Sequence, residues 1–201
     1  MVLDAHRDLA DRYLLPIANR MIDVDPDMLT WMAFGFAALA GAAFYVGGVL
    51  FLLAAMFCVF LNALFDALDG RIAKLAGKAS SRGDFLDHVL DRYADIFMLG
   101  GIAFEPYCDY RIGVLAVLGV LLASYMGTQA QAVGVGRDYG GLLGRADRLV
   151  IIFFAAFLQL IVVLGNFGLR IIEWAMIIFA VLGNLTAIQR GVATWRKLSR
   201  T

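Results

Sequence analysis

Apolar residues run along this chain in blocks about as long as a bilayer is thick, broken by short polar segments. Between Asp27 and Asp66, 38 consecutive residues contain no Asp, Glu, Lys or Arg. As a helix that stretch would be about 57 Å long, nearly twice the roughly 30 Å hydrocarbon core of a membrane. Gly47-Gly48 near its middle is the natural break, so the pattern predicts two spans, about 28–47 and 49–75, joined by a very short hairpin. Residues 112–136 and 149–169 are also free of charged side chains and predict spans of about 112–134 and 147–168. A last apolar stretch, 174–189, lies between Arg170/Glu173 and Arg190 and predicts a span of about 171–195. The segment 83–105 is unlike the others. Its second half, Ile96 to Phe104, is apolar, but its first half carries Asp84, Asp87, His88, Asp91, Arg92 and Asp95. Counting it gives six transmembrane helices in an all-α integral membrane protein, a single domain over residues 1–201.

The first 25 residues do not read as a cleavable signal peptide, because they carry Asp4, Asp8, Asp11, Asp23 and Asp25 and have no continuous apolar core. Leu3, Leu9, Ala10, Tyr13, Leu14, Ile17, Ala18 and Met21 recur at helical spacing. That pattern predicts an amphipathic helix lying in the membrane interface, with Pro16 as a point of weakness.

Composition agrees with the pattern. Apolar residues make up 62% of the chain and charged ones 17%, with a mean hydropathy of +0.79. Soluble domains average about 45–50% and about 25%. Formal net charge is zero, which removes the bulk basicity a nucleic-acid-binding domain shows. Cys58 and Cys108 are isolated and predict free thiols. Basic residues are distributed unevenly. The N-terminal segment, the second-to-third and fourth-to-fifth loops and the C-terminus hold 14 of them, whereas the opposite side holds only Arg111 and Arg170. The positive-inside rule then places both termini in the cytoplasm, in a multi-pass protein of the cell membrane.

Carboxylates in membrane helices are costly, about 2.5–3.5 kcal/mol each at the centre of a span on insertion scales, and a cluster of them calls for a function. Asp66 and Asp69, spaced i, i+3, share a face near the cytoplasmic end of the second span. Asp87 and Asp91, spaced i, i+4, begin the third span on the same side. The short loop between makes the two helices antiparallel neighbours, so four carboxylates converge between them. Such a group either holds protons or holds cations. Oxygen ligands favour Mg²⁺, Mn²⁺ or Ca²⁺, and paired carboxylates with two divalent ions suit phosphoryl transfer. Gly70 follows Asp69 and Gly83 precedes Asp87 by four, each freeing space where a phosphate could approach a helix. His88 points away from Asp87 on an ideal helix and reads as packing. Asp95 reads as a structural partner for Arg92 or another helix, and Asp84 as a helix-starting charge.

The run Asp66-Ala-Leu-Asp69-Gly70-Arg-Ile-Ala73-Lys74, eight residues, then Gly83-Asp-Phe-Leu-Asp87-His-Val-Leu-Asp91 resembles the D-x2-D-G-x2-A-R-x8-G-x3-D-x3-D signature of the CDP-alcohol phosphatidyltransferases. Every spacing matches and seven of eight fixed positions match, the exception being Lys74 for Arg. Lys keeps the charge and loses the bidentate fork. Pro26-Asp27-Met28-Leu29-Thr30 is similar to the P-[ND]-x2-T that opens the family's first span. The resemblance implies that Asp66, Asp69, Asp87 and Asp91 bind two Mg²⁺ or Mn²⁺ ions. It implies that Asp69, Gly70, Ala73, Lys74, Gly83 and Thr30 hold the CDP moiety, and that Asp91 is the base activating the acceptor hydroxyl. The implied reaction moves a phosphatidyl or archaetidyl group from CDP-diacylglycerol or CDP-archaeol to a polar alcohol and releases CMP, on the cytoplasmic side of the membrane, in an enzyme that is commonly a homodimer.

The region Ser124-Tyr125-Met-Gly127-Thr-Gln129-Ala-Gln131-Ala, with Gly140-Gly141-Leu-Leu-Gly-Arg145-Ala-Asp147-Arg148-Leu149, is similar to the phosphatidylinositol-phosphate and archaetidylinositol-phosphate synthases. Arg145 and Arg148 fit that pattern as acceptor-binding residues, with Arg82 and Arg137 as further cations nearby. Gly127, Gln129 and Gln131 depart from it where Lys, Arg and Glu are usual, which removes two cations that a phosphorylated acceptor would use. The first expectation for the acceptor is an inositol phosphate-like polyol, with glycerol phosphate or a less charged alcohol as alternatives. A divalent cation transporter is the competing class, but transporters place their sites near the midplane between repeats, and no repeat is visible here. An inactive binding paralogue is the other alternative, and the presence of all four aspartates argues against it.

Overall fold

The computed structural model describes residues 7–136 and 143–199, so Leu3, Asp4, Arg137, Gly140, Gly141 and Arg200 lie outside the described residues. The described chain is entirely helical: α1 (Arg7–Arg20), α2 (Pro26–Val46), α3 (Val49–Leu75), α4 (Ser81–Ala103), α5 (Tyr110–Ala132), α6 (Arg145–Leu164) and α7 (Ile171–Leu198). Five of these, α2, α3, α5, α6 and α7, are long and apolar enough to cross a membrane. Large apolar side chains such as Leu50, Phe57 and Trp174 point outward, as lipid-facing residues do.

The expected spans fall on six of the helices with ends shifted by a few residues. α4 is the sixth, and its charged first half keeps it below the hydropathy of the others. Its course is set by its neighbours. At one end Gly83 lies beside Asp27 of α2, and Arg82 reaches Asp27 at 3.7 Å. At the other end Pro106, just past α4, lies against Gly47. α4 therefore runs parallel to α2 over the same depth. Its 23 residues cover about 34 Å, enough to cross.

The contact between α2 and α4 is backbone on backbone. A side-chain methyl on Gly101 would stand 2.0 Å from the Gly41 carbonyl oxygen, and one on Gly41 would stand 2.2 Å from that of Phe97. Small residues that let helices touch are a membrane-packing device. α5 and α7 repeat it at Gly119 and Gly183. The α2–α3 hairpin turns on Gly47 (φ 69) and Gly48 (φ 84), both in the left-handed region that favours glycine, as the pattern predicted.

Local sequence sets the helix starts that carry the site. Asp25 caps α2 by accepting from the Asp27 backbone N–H at 3.0 Å, and Pro26 follows at the first helical position. Ser80 caps α4 by accepting from the Gly83 N–H at 3.1 Å, with Asp84 in the first turn. α1 continues through Pro16. Leu14, Ala18 and Met21 pack against Leu29, Leu68 and Ile72, and Arg71 of α3 pairs with Asp11 at 2.6 Å. Tyr13 and Ile17 face outward, which suits a helix seated in the interface.

Candidate functional site

Asp66 and Asp69 on α3 and Asp87 and Asp91 on α4 meet where the two helices begin and end beside the α2 start. Carboxylate oxygens of Asp66, Asp69 and Asp87 lie within 4.8 Å of one another, and so do ligand atoms of Asp87, His88 and Asp91. The i, i+3 and i, i+4 spacings thus bring three of the four expected carboxylates together, and the fourth, Asp91, joins through Asp87. Three converging oxygens are a donor set for a hard divalent ion. His88 is more involved than its helical angle suggested, since its Nε2 lies 3.2 Å from Asp84 and its Nδ1 3.6 Å from Asp87.

Asp69 is buried and fixed from α2. Thr30 donates its hydroxyl to Asp69 Oδ2 at 2.8 Å, and the Thr30 Oγ1 also lies 3.1 Å from the Pro26 carbonyl oxygen of its own helix. One turn deeper than Asp66 on α3, Asn62 is fully buried and donates Nδ2–H to the Ala33 carbonyl at 2.9 Å. Asn62 was not among the expected site residues. A polar residue four positions before Asp66 inside an apolar run was the available signal.

A cavity of about 310 Å³ opens beside Asp69 and Asp87. Thr30, Asp69, Gly70, Ala73, Lys74 and Gly83, the residues expected to hold a nucleotide, all line it. Sequence reasoning missed part of its wall. Asp25 was noted only among the acids of the N-terminal segment, Asp27 only within the motif that opens the first span, and Lys78 and Ser80 had no assigned role, yet all four line the cavity. Lys78, in the turn just past the end of α3, lines the same cavity as Lys74 and adds a second cation to its wall.

The first residue of α6 closes the other side. Arg145 Nη1 pairs with Asp66 and lies 2.8 Å from Asp91 Oδ1. Arg148, one turn on, donates to Asp95 Oδ2 at 2.8 Å, with both side chains only 5% exposed. Arg148 is therefore committed to Asp95, the structural role expected for that aspartate, while Arg145 faces Asp66 and Asp91. Breaking such a buried pair leaves an uncompensated charge, at a cost of about 3–5 kcal/mol. Asp95→Leu is therefore expected to lower the thermal midpoint sharply, and Asp95→Leu with Arg148→Met to recover most of it, as a melting series in detergent would show. Arg92 sits beside both acids, 3.5 Å from Asp91 and 3.7 Å from Asp95, and bonds Ser124 of α5. Of the departures on α5, Gly127 is buried, whereas Gln129 and Gln131 are exposed.

Residues 24–186 match the family model described as CDP-alcohol phosphatidyltransferase. The chain is 31% identical to the archaetidylinositol phosphate synthase of Methanothermobacter thermautotrophicus, over 98% of this chain and 96% of that protein. It is 30% identical to the phosphatidylinositol phosphate synthase of Streptomyces avermitilis, over 92% of this chain and 79% of that one. Among solved structures it resembles the Mycobacterium tuberculosis phosphatidylinositol phosphate synthase with CDP-DAG bound. The TM-score is 0.73 and the identity 27%, over 92% of this chain and 94% of that chain. The same enzyme in complex with manganese and citrate matches with a TM-score of 0.74 and 25% identity, over 90% and 88%.

Proposed function

The chain belongs to the CDP-alcohol phosphatidyltransferase family, and from that premise we propose that it moves the phosphatidyl or archaetidyl group of a CDP-linked lipid to an inositol phosphate-like alcohol. The observation that supports this reading best is the single cavity lined by all six nucleotide-motif residues and ending at Asp69 and Asp87. The donor is CDP-diacylglycerol or CDP-archaeol. Its tails lie among the lipid-facing helices and its pyrophosphate at the carboxylates. Relatives named as inositol phosphate lipid synthases favour the same class of acceptor here.

Asp66, Asp69, Asp87 and Asp91 would hold two Mg²⁺ or Mn²⁺ ions, which supply neutralisation of pyrophosphate charge and stabilise departing CMP. The other contributions come from the chain itself. Thr30 orients Asp69. Lys74 and Lys78 place positive charge along the nucleotide. Asp91 accepts the proton of the acceptor hydroxyl. The freed oxygen forms its bond to the phosphorus carrying the lipid. The bond from that phosphorus to CMP breaks, and CMP leaves with the electron pair. Arg145 is the cation closest to Asp91 and is placed to hold an acceptor phosphate. We further propose that this site and both termini face the cytoplasm, as the basic loops imply, and that the enzyme works as a homodimer.

A methyl on Gly70 would meet no protein atom within 4 Å, and Gly70 lines the cavity. Gly70→Ala is expected to keep or raise stability, since Ala favours a helix by about 1 kcal/mol, while weakening CDP-lipid binding tenfold or more. Melting and CDP binding on one sample check both. Unchanged binding would remove Gly70 from the nucleotide site.

The acceptor is tested by product analysis with inositol 1-phosphate, glycerol 3-phosphate, inositol, serine and glycerol, each with both CDP-lipids. The expected product is the inositol phosphate ester. Another ester, formed alone, would replace that acceptor without touching the transferase reading.

A further inference from the structure

The two acidic groups of the site are unequal. Asp66, Asp69 and Asp87 converge as three carboxylates. Asp91 and Asp66 are instead bridged by one guanidinium, that of Arg145. We propose that Arg145 is a built-in competitor for one of the two divalent ions: it holds Asp66 and Asp91 together until that ion displaces it, and the displaced guanidinium then serves the acceptor. The inference rests on the reading of the four aspartates as metal ligands and adds an order to their loading.

The seat of Arg145 is suited to displacement. Both ion pairs use Nη1 alone, without the parallel two-pronged contact that makes arginine–carboxylate pairs strong. Its Nε is buried with no hydrogen-bond partner. The backbone need not move, because Arg148 one turn later ties α6 to Asp95. Only a long side chain at the first residue of the helix has to swing. Electrostatics gives the motion a direction. Two divalent ions neutralise four carboxylates completely, so the guanidinium loses its anions and meets two like charges. It remains tethered beside Asp91, where an anionic acceptor restores its partner. The Asp66, Asp69 and Asp87 group can take a first ion while Arg145 keeps Asp91, since Arg145 engages only one oxygen of Asp66 there and neither of the other two carboxylates. The second meets Arg145.

Mn²⁺ binding to the detergent-solubilised protein, followed by the electron paramagnetic resonance of free Mn²⁺, tests this without any turnover. The wild type is expected to bind in two steps, one tight and one weaker. Arg145→Gln is expected to tighten the weaker step by about tenfold, the equivalent of one charged hydrogen bond removed from competition. Arg145→Lys keeps a cation in place and covers the case in which the Gln variant does not fold. Its weaker step is expected to tighten by about threefold. Loss of a merely structural contact would loosen metal binding, not tighten it. Two unchanged steps in both variants, or weaker binding, would overturn the competition. Absence of any Mn²⁺ binding by the wild type would overturn the metal reading itself, and this inference with it.

Discussion

Asp91→Asn is expected to lower kcat by roughly a hundred- to ten-thousandfold, the range a positioned general base contributes, while CDP-lipid affinity stays within about threefold. Asn keeps the size and one oxygen of the side chain but cannot take a proton at neutral pH. The cavity wall is left alone, because Asp91 is not among the residues lining it. Asp91 lies on its other side, 2.8 Å from Arg145 and 3.5 Å from Arg92. Arg145 keeps its pair with Asp66 and Arg92 its pair with Asp95, so neither guanidinium is left without an anion and the folded state should survive the change. Titrating Mn²⁺ to saturation separates the two roles of this residue. If Asp91 were only a ligand, excess metal would restore turnover. If it is the base, the loss persists at saturation. Turnover equal to wild type would remove Asp91 from the reaction.

Gly101→Ala is expected to be among the most damaging single-methyl changes in the protein. The added carbon would stand 2.0 Å from the Gly41 carbonyl oxygen and 2.7 Å from two further backbone atoms of Gly41. No rotamer change relieves a clash with backbone, so α2 and α4 must separate, at a cost of about 1–3 kcal/mol or more. That corresponds to a thermal midpoint lower by roughly 2–12 °C for a chain of this size. Separation also disturbs the cleft, since α2 supplies Thr30 and α4 supplies Gly83 and Asp87 to one cavity. Gly100→Ala is the internal control. A methyl there meets nothing within 4 Å, so stability should hold or rise slightly. Equal melting of the two variants would refute the backbone contact.

These two residues also show what the sequence could and could not convey. Asp91 was legible because its chemistry is expensive in a membrane and its i, i+4 spacing to Asp87 is local, as is the i, i+3 spacing of Asp66 and Asp69 on the neighbouring helix. Helical geometry alone brings such residues to one face. The Gly47-Gly48 turn was legible for a similar reason, because two glycines interrupt an apolar run too long for one span. Gly101 was not. Gly35, Gly41, Gly100 and Gly101 look alike in an apolar block, yet Gly41 and Gly101 touch backbone and Gly35 and Gly100 touch nothing. Which face of a helix meets which neighbour is a tertiary fact with no local signature.

The division of labour between Arg145 and Arg148 was hidden in the same way. Both fit one motif three residues apart, and both read as acceptor ligands. Their partners lie far off in the chain, Asp66 at 79 residues and Asp95 at 53. The charged first half of α4 was legible as part of a span only by topology. Its flanking loops demanded a crossing that its hydropathy did not. The alignment of α4 with α2, from Asp27 beside Gly83 to Gly47 beside Pro106, supplies the physical reason.

The central claim is that the four aspartates and the adjoining cavity carry out metal-dependent transfer from a CDP-linked lipid. Its most direct test is CMP release by purified protein in detergent, from CDP-diacylglycerol and from CDP-archaeol, with inositol 1-phosphate present. Each reaction is run with Mn²⁺, with Mg²⁺ and with excess chelator. The account predicts CMP release that requires both the acceptor and a divalent ion, stops with chelator and is lost in Asp91→Asn. CMP release that continues unchanged in chelator, or at the wild-type rate in Asp91→Asn, would contradict it.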